Sequence, residues 1–235
     1  MRKLARYGYN LVIVLLLAVI IGQFVLPPAA EKASRTFFEK AFPGAVVSDA
    51  KIHAFPAVKL LTGSADGIEF EVSDFKVNNL NVSSLKVKAL GLIWDYRQLF
   101  EGFNKFPEAE TLNITALLSE KDLNRYLDTW VINGFNNPSI DLEASGALLK
   151  GEVQLLGRKF PIQVSGKFEA MEGSVWFQPD EIILEEQQLK ADFSRELARG
   201  LGFKLPLNVL PGIEPAALAL AKDNLGIQFQ KKPNP

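Results

Sequence analysis

Cysteine is absent from the 235 residues, and histidine occurs once, as His53. The first absence excludes a disulfide framework, a thiolate metal site, a thiol nucleophile and a lipid-modified cysteine anchor, while leaving the redox compartment open. The second excludes a multi-histidine metal centre, although one histidine suffices for a Ser-His-Asp triad. The net charge is −1, so no basic field is available for nucleic acid. No G-x-G-x-x-G, P-loop, G-x-S-x-G or H-E-x-x-H pattern occurs, and no catalytic residue, metal or cofactor is implied. Tyrosine and tryptophan are scarce, at 4 and 3, against 17 phenylalanines. Phenylalanine carries no hydroxyl that needs a partner, so it suits a dry core or a dry lining.

What is present begins with one long apolar run. Arg2, Lys3 and Arg6 precede an uncharged stretch from Tyr7 to Leu26. As a helix these 20 residues span about 30 Å, the thickness of a bilayer's hydrocarbon core. The basic residues all lie on the N-terminal side, which places that end in the cytoplasm and the rest outside. The segment "LPPAAEKAS" fits a small-residue cleavage site poorly, so a retained anchor is expected rather than a cleaved signal peptide. Removing Arg2, Lys3 and Arg6 from the 26 basic residues leaves 23 against 27 acidic ones, a mildly acidic outer part of net charge −4. The chain therefore divides into a basic tip and transmembrane anchor (1–28), an extracytoplasmic domain (29–230) and a tail (231–235).

Pro27 and Pro28 are expected to interrupt the first helix and to start a second, Ala29 to Phe42, apolar along Ala30, Ala33, Phe37, Phe38, Ala41 and Phe42. Beyond Pro43-Gly44 the pattern is mostly that of strands. In "IEFEVSDFKVNNLNVSSLKVKALGLIWDY" apolar and polar residues alternate, with a slip at Asp74 that suggests a bulge and a turn at Asn78-Asn79. A later phase shift brings in Leu90, Leu92 and Trp94. Short turns make the two ribbons an antiparallel pair, with Glu69 and Glu71 facing Lys86 and Lys88. Ser119 followed by Asp122 caps a helix with Leu123, Tyr126, Leu127, Trp130 and Val131 on one stripe. After a loop "NGFNNPS", glycine-punctuated strands return, then a short helix from Asp192 to about Leu201, an extended Pro-broken segment and a hairpin turning at Asp223-Asn224. The fold class is α+β and mostly β. The carboxylates Asp180-Glu181 and Glu185-Glu186 read as the solvated ends of a strand. Asn81-Val82-Ser83 and Asn113-Ile114-Thr115 fit the glycosylation sequon but lie in strand-like runs.

The blocks "KLLTGSADGIEFEVSDFKVNNLNVSSLKVKALGL", "LNITALLSEKDLNRYL", "GEVQLLGRKFPIQVSGKFEA" and "LPLNVLPGIEPAALALAKDNLGIQFQ", taken in that order over about residues 35 to 230, resemble the LmeA-like phospholipid-binding family of the bacterial envelope. The resemblance implies a lipid-binding, non-enzymatic protein. It also implies a curved antiparallel meander sheet packed on or wrapping amphipathic helices, by analogy with tubular lipid-binding domains. On that reading the partners are a phospholipid or related lipid and the membrane, with no nucleic acid and no identifiable protein partner. The candidate walls of an apolar groove are Phe70, Val72, Phe75, Val87, Leu92, Trp94, Trp130 and Trp176. Two other readings stand beside it: an envelope assembly or interaction protein whose core is filled by its own side chains, and an enzyme acting on lipid or glycan through His53 or converging carboxylates.

Overall fold

The computed structural model describes residues 2–41, 44–94, 107–130, 135–155, 158–184, 187–188, 200–207, 209 and 212–232; the side chains of residues 2–15 also fall outside that description. The chain opens with one 40-residue helix, α1 (Arg2–Ala41), that runs through Pro27 and Pro28. The expected break between two helices is therefore not there. Each proline forfeits a backbone donor, but side chains on both sides of the pair fix the helix axis against the domain. Gln23 Nε2 donates to the Ala54 carbonyl at 3.0 Å and its Oε1 accepts from Ala57 N–H at 2.8 Å. Beyond the prolines, Glu31 Oε1 accepts from Ile52 N–H at 3.1 Å and Arg35 donates to the Val47 carbonyl. Of the expected apolar face, Ala30 packs on the core; Phe37, Phe38, Ala41 and Phe42 lie outside the described side chains. Among the described residues no helix is long and apolar enough to cross a membrane.

The residues that α1 grips belong to β1 (Val46–His53) and to the loop that follows it. A 3-10 turn (Ala57–Thr62) leads into β2 (Ser64–Val77) and β3 (Leu80–Ile93). Then come β4 (Thr111–Ser119) and the helix α2 (Glu120–Leu127). The second half supplies β5 (Phe135–Glu143), β6 (Gly146–Leu155), β7 (Arg158–Met171), β8 (Ser174–Leu184), β9 (Gln187–Gln188) and β10 (Phe203–Leu205). It closes with the hairpin β11 (Ile213–Ala221) and β12 (Asn224–Lys231).

The domain is mostly antiparallel β, as expected, but its strands form two sheets instead of one. The first has the order β1-β2-β3-β4-β12-β11, the second β10-β8-β7-β6-β5, with β9 beside β8. One contiguous core draws on both. The final hairpin therefore adds to the first sheet, beside β4, although the whole second sheet separates them in sequence. Most of the expected loop "NGFNNPS" lies in β5. Pro138 is accommodated because β5 is an edge strand, with its pairing to β6 irregular between Asn136 and Ser139. The expected helix from Asp192 lies outside the described residues except for its last residues, where Leu201 is buried.

In the β2–β3 ribbon the charged face is as expected, with Glu69 and Lys88 3.3 Å apart and Glu71 and Lys86 3.2 Å apart. The turn residues Asn78 and Asn79 both have positive φ, at 47° and 70°. The slip at Asp74 is real but is not a bulge. Ser73 pairs with Ser84 and Phe75 with Val82 in unbroken register, while Asp74 takes a left-handed φ of 54° that swings Phe75 inward. A second slip occurs at Gly91, φ 60°, and it leaves Leu90 outside: Leu90 is 57% exposed and Leu92 is 2% exposed.

α2 is shorter than the periodicity suggests and ends at Leu127, with Val131 outside the described residues. Ser119 caps it, accepting from Asp122 N–H at 3.2 Å. Its polar side chains close the free edge of β5. Asn124 both donates to the Ile140 carbonyl (3.0 Å) and accepts from Ile140 N–H (2.6 Å), and Glu120 accepts from Leu142 N–H at 2.8 Å. Asn124→Ala leaves two part-buried backbone groups without partners, and a loss of about 2 kcal/mol is expected, read as a lower urea midpoint with an unchanged m-value.

Candidate functional site: the apolar interior between the sheets

Five of the eight sequence-derived wall residues, Phe70, Val72, Phe75, Val87 and Leu92, lie on the inward face of β2 and β3, each no more than 7% exposed. Pairing brings Phe70 beside Val87 and sets Phe75 against Val82. Trp130 is reached from the other direction. It follows α2, donates its backbone N–H to the Leu127 carbonyl, and stacks against the second sheet with its ring 4.7 Å from Phe203. Phe203 in turn lies 5.2 Å from Phe177, and Phe177 lies 5.5 Å from Phe168.

This aromatic cluster is the part of the interior that the sequence reading passed over. Its signal in the sequence was the alternation of "GKFEA", which marks Phe168, whereas "SVWFQ" does not alternate and gave none for Phe177. Gly166 belongs to it, because a Cβ there would sit 2.6 Å from the Phe177 ring and 2.5 Å from the Gln178 carbonyl oxygen. Only a glycine lets Phe177 lie across β7 at that distance.

Trp176 is not in the interior. It pairs with Glu169 on one side and Lys204 on the other, on the face opposite the buried Phe177, with Lys204 Nζ 5.8 Å from its ring centroid. Three apolar residues in a row, Val175-Trp176-Phe177, hide which one points outward, and only the register resolves it. Trp94 follows β3, packs partly against the core, and is held by its backbone N–H to the Gly63 carbonyl at 2.8 Å. The indole N–H groups of Trp94 and Trp176 are both buried without an acceptor.

The interior faces carry almost no charge. The exception among the described residues is Asp122, 6% exposed, at the start of α2. Its carboxylate accepts from Asn81 (2.9 Å), Ser83 (2.6 Å) and Ser119 (2.6 Å), with Arg125 at 3.5 Å. Burial alone raises its pKa, but the hydrogen bonds from Ser119, Ser83 and Asn81, together with Arg125, hold it below the ordinary value. Asn81 and Ser83 of the first sequon are thus engaged in tying β3 to α2. Asn113 of the second is exposed on β4.

The residues proposed for chemistry do not meet. His53 is exposed on β1 of the first sheet, and Asp180 and Glu181 are exposed on β8 of the second; Glu185 and Glu186 lie outside the described residues. An open cleft of about 540 Å³ sits among Glu120, Asp141, Leu142, Glu143, Ala144, Lys222 and Asp223. Two of its acids are already used, Glu120 on β5 and Asp141 with Lys150.

Residues 31–230 match the family model of LmeA-like phospholipid-binding proteins. No curated protein and no solved structure matches the chain.

The lowered pKa of Asp122 fixes the sign of one pH effect. The unfolded chain binds the proton more readily, so the carboxylate's contribution is complete above the ordinary value of 3.8 and is lost as pH falls through the folded value. Asp122→Asn is expected to lower the urea midpoint at about pH 7, and its difference from the parent is expected to shrink as the pH is taken below the ordinary value of 3.8.

Proposed function

The chain belongs to the LmeA-like phospholipid-binding family, and from that premise we propose that it is a non-enzymatic, membrane-anchored protein of the bacterial envelope that takes a phospholipid acyl chain between its two sheets. The observation that carries this reading is the interior itself: an aliphatic wall on β2 and β3, with Phe70 and Phe75 on β2, shares one core with an aromatic cluster on β7, β8 and β10. Such a space holds hydrocarbon and leaves the headgroup outside. It needs no charged recognition site.

The energetics suit exchange. Each methylene removed from water contributes about 0.8 kcal/mol, but a lipid leaving a bilayer is already out of water, so the net difference is small. The inward side chains close on one another, and an acyl chain enters by parting them. We assign the buried, unpaired indole N–H of Trp94 to the ester or phosphate oxygen of the lipid, because a buried donor without an acceptor gains most from one.

The anchor is the helix α1. The uncharged run from Tyr7 to Leu26 has the length to span a bilayer. From Leu16 to Val25 its large side chains are exposed on every side, Phe24 at 76% and Ile21 at 60%. A helix that is apolar all round calls for a covering apolar phase. The three basic residues before the run favour a cytoplasmic N-terminus and an outer domain.

A second reading, an envelope assembly protein with a self-filled core, is favoured by the near-complete burial of the wall residues within the chain. Lipid extraction and mass spectrometry of the purified protein, followed by titration of the delipidated protein with a fluorescent phospholipid, separates the two. Saturable uptake is expected. Trp94→Phe, which keeps the packing and removes the N–H, should weaken it about fivefold, the equivalent of one hydrogen bond of about 1 kcal/mol. Trp176→Phe should leave it unchanged. No saturable uptake sinks the lipid-carrier reading in favour of the second.

A further inference from the structure

The end of the domain from which α1 emerges carries its own apolar surface. α1 runs antiparallel to β1: Arg35 meets Val47, Glu31 meets Ile52, and Gln23 meets Ala54 and Ala57. Residues before Gln23 therefore project beyond the sheet at the loop and 3-10 turn that follow β1. That loop and turn expose Phe55 at 75%, Val58 at 44% and Leu61 at 65%. Beside them the end of β3 exposes Leu90 and Ile93, at 57% and 62%, where Ile93 pairs with Ser64 just after the turn. The charges among these residues are matched, Lys59 with Asp66 at 2.7 Å. Asp66 also accepts from Phe55 N–H at 2.5 Å. The exposed carboxylates of Glu108 and Glu110 bound the patch on the side away from α1.

We infer that this rim is seated in the lipid leaflet from which α1 rises, with Phe55, Val58 and Leu61 below the headgroups. The inference rests on the anchoring reading given above and adds a depth to it. Gln23 lies three residues before Leu26, the end of the uncharged run, which is about 4.5 Å inside the hydrocarbon boundary at 1.5 Å per residue. Its side-chain amide is bonded to Ala54 and Ala57, so that backbone is at the same depth. A polar side chain at that level requires an internal partner, and the same two hydrogen bonds supply one for Gln23 and for two backbone groups. The flanking Phe55 and Val58 are thereby brought to lipid. Trp94, joined to Gly63 at the end of the same turn, then lies beside the leaflet.

The chain has no cysteine, so single-cysteine variants carry one label each. The full chain is reconstituted into vesicles of phosphatidylcholine and phosphatidylglycerol, with an environment-sensitive nitrobenzoxadiazole probe on Phe55→Cys, Leu61→Cys, Leu16→Cys or Lys222→Cys. The last of these lies in the β11–β12 turn at the far end of the first sheet. Spin-labelled lipids with shallow or deep quenchers are then added. Probes at 55 and 61 are expected to shift to the blue and to be quenched best by the shallow label, that at 16 by the deep label, and that at 222 by neither. Deep quenching at 16 with an aqueous probe at 55 and 61 overturns the seating and leaves the anchor standing. An aqueous probe at 16 overturns both.

Discussion

Two open sheets in one small domain create free strand edges, and the satisfaction of those edges is the constraint on which the rest of this structure depends. An unpaired edge presents a row of backbone donors and acceptors that invites the wrong partner. Here β1 is closed by Glu31 and Arg35 of α1, and β5 by Glu120 and Asn124 of α2. In both cases a helix lies beside an edge and offers side-chain groups where another strand would have offered backbone. The same bonds decide where each helix sits, and so which residues line the interior and which lie at its ends.

The interior follows from that arrangement. With β1 and β5 closed, the two sheets share a core whose buried polar residues, among those described, are Ser174 and Asp122, the latter holding α2 to β3 through Asn81 and Ser83. The charged outer face of β2 and β3, with its two Glu–Lys pairs, is exposed enough that the pairs contribute little to stability. Their role is to fix the face: a one-residue slip of either strand would bury them.

Local chemistry was legible and long-range closure was not. The alternation of residues 68–77, the Asn-Asn turn, the Glu–Lys pairing and the Ser119 cap all depend on neighbours within one ribbon or one helical turn, and the structure has them where the sequence placed them. The clamps of α1 join residues as much as 34 positions apart through single side chains, and no periodicity announces such a contact. Pro27-Pro28 read as a break because the propensity penalty is local while the compensating docking is tertiary. Trp176 was assigned inward because three consecutive apolar residues carry no period-2 phase. Leu90 was assigned inward because the left-handed turn at Gly91 changes the phase one residue later. Phe70, Val72, Phe75 and Val87 were placed on the inward face by alternation, Leu92 is inward although Leu90 of the same expected phase is not, and Trp130 was placed by helical spacing.

The uninterrupted passage of α1 through its two prolines makes the helix a rotational coordinate for everything attached to it. A flexible tether would let the domain turn freely about the N-terminal segment, but a helix clamped at residues 23, 31 and 35 transmits azimuth. One residue inserted before Gln23 would turn the domain by about 100° relative to the residues upstream and move it by about 1.5 Å along the axis. The number of residues that precede Gln23 in the helix is therefore a setting of heading as well as of height.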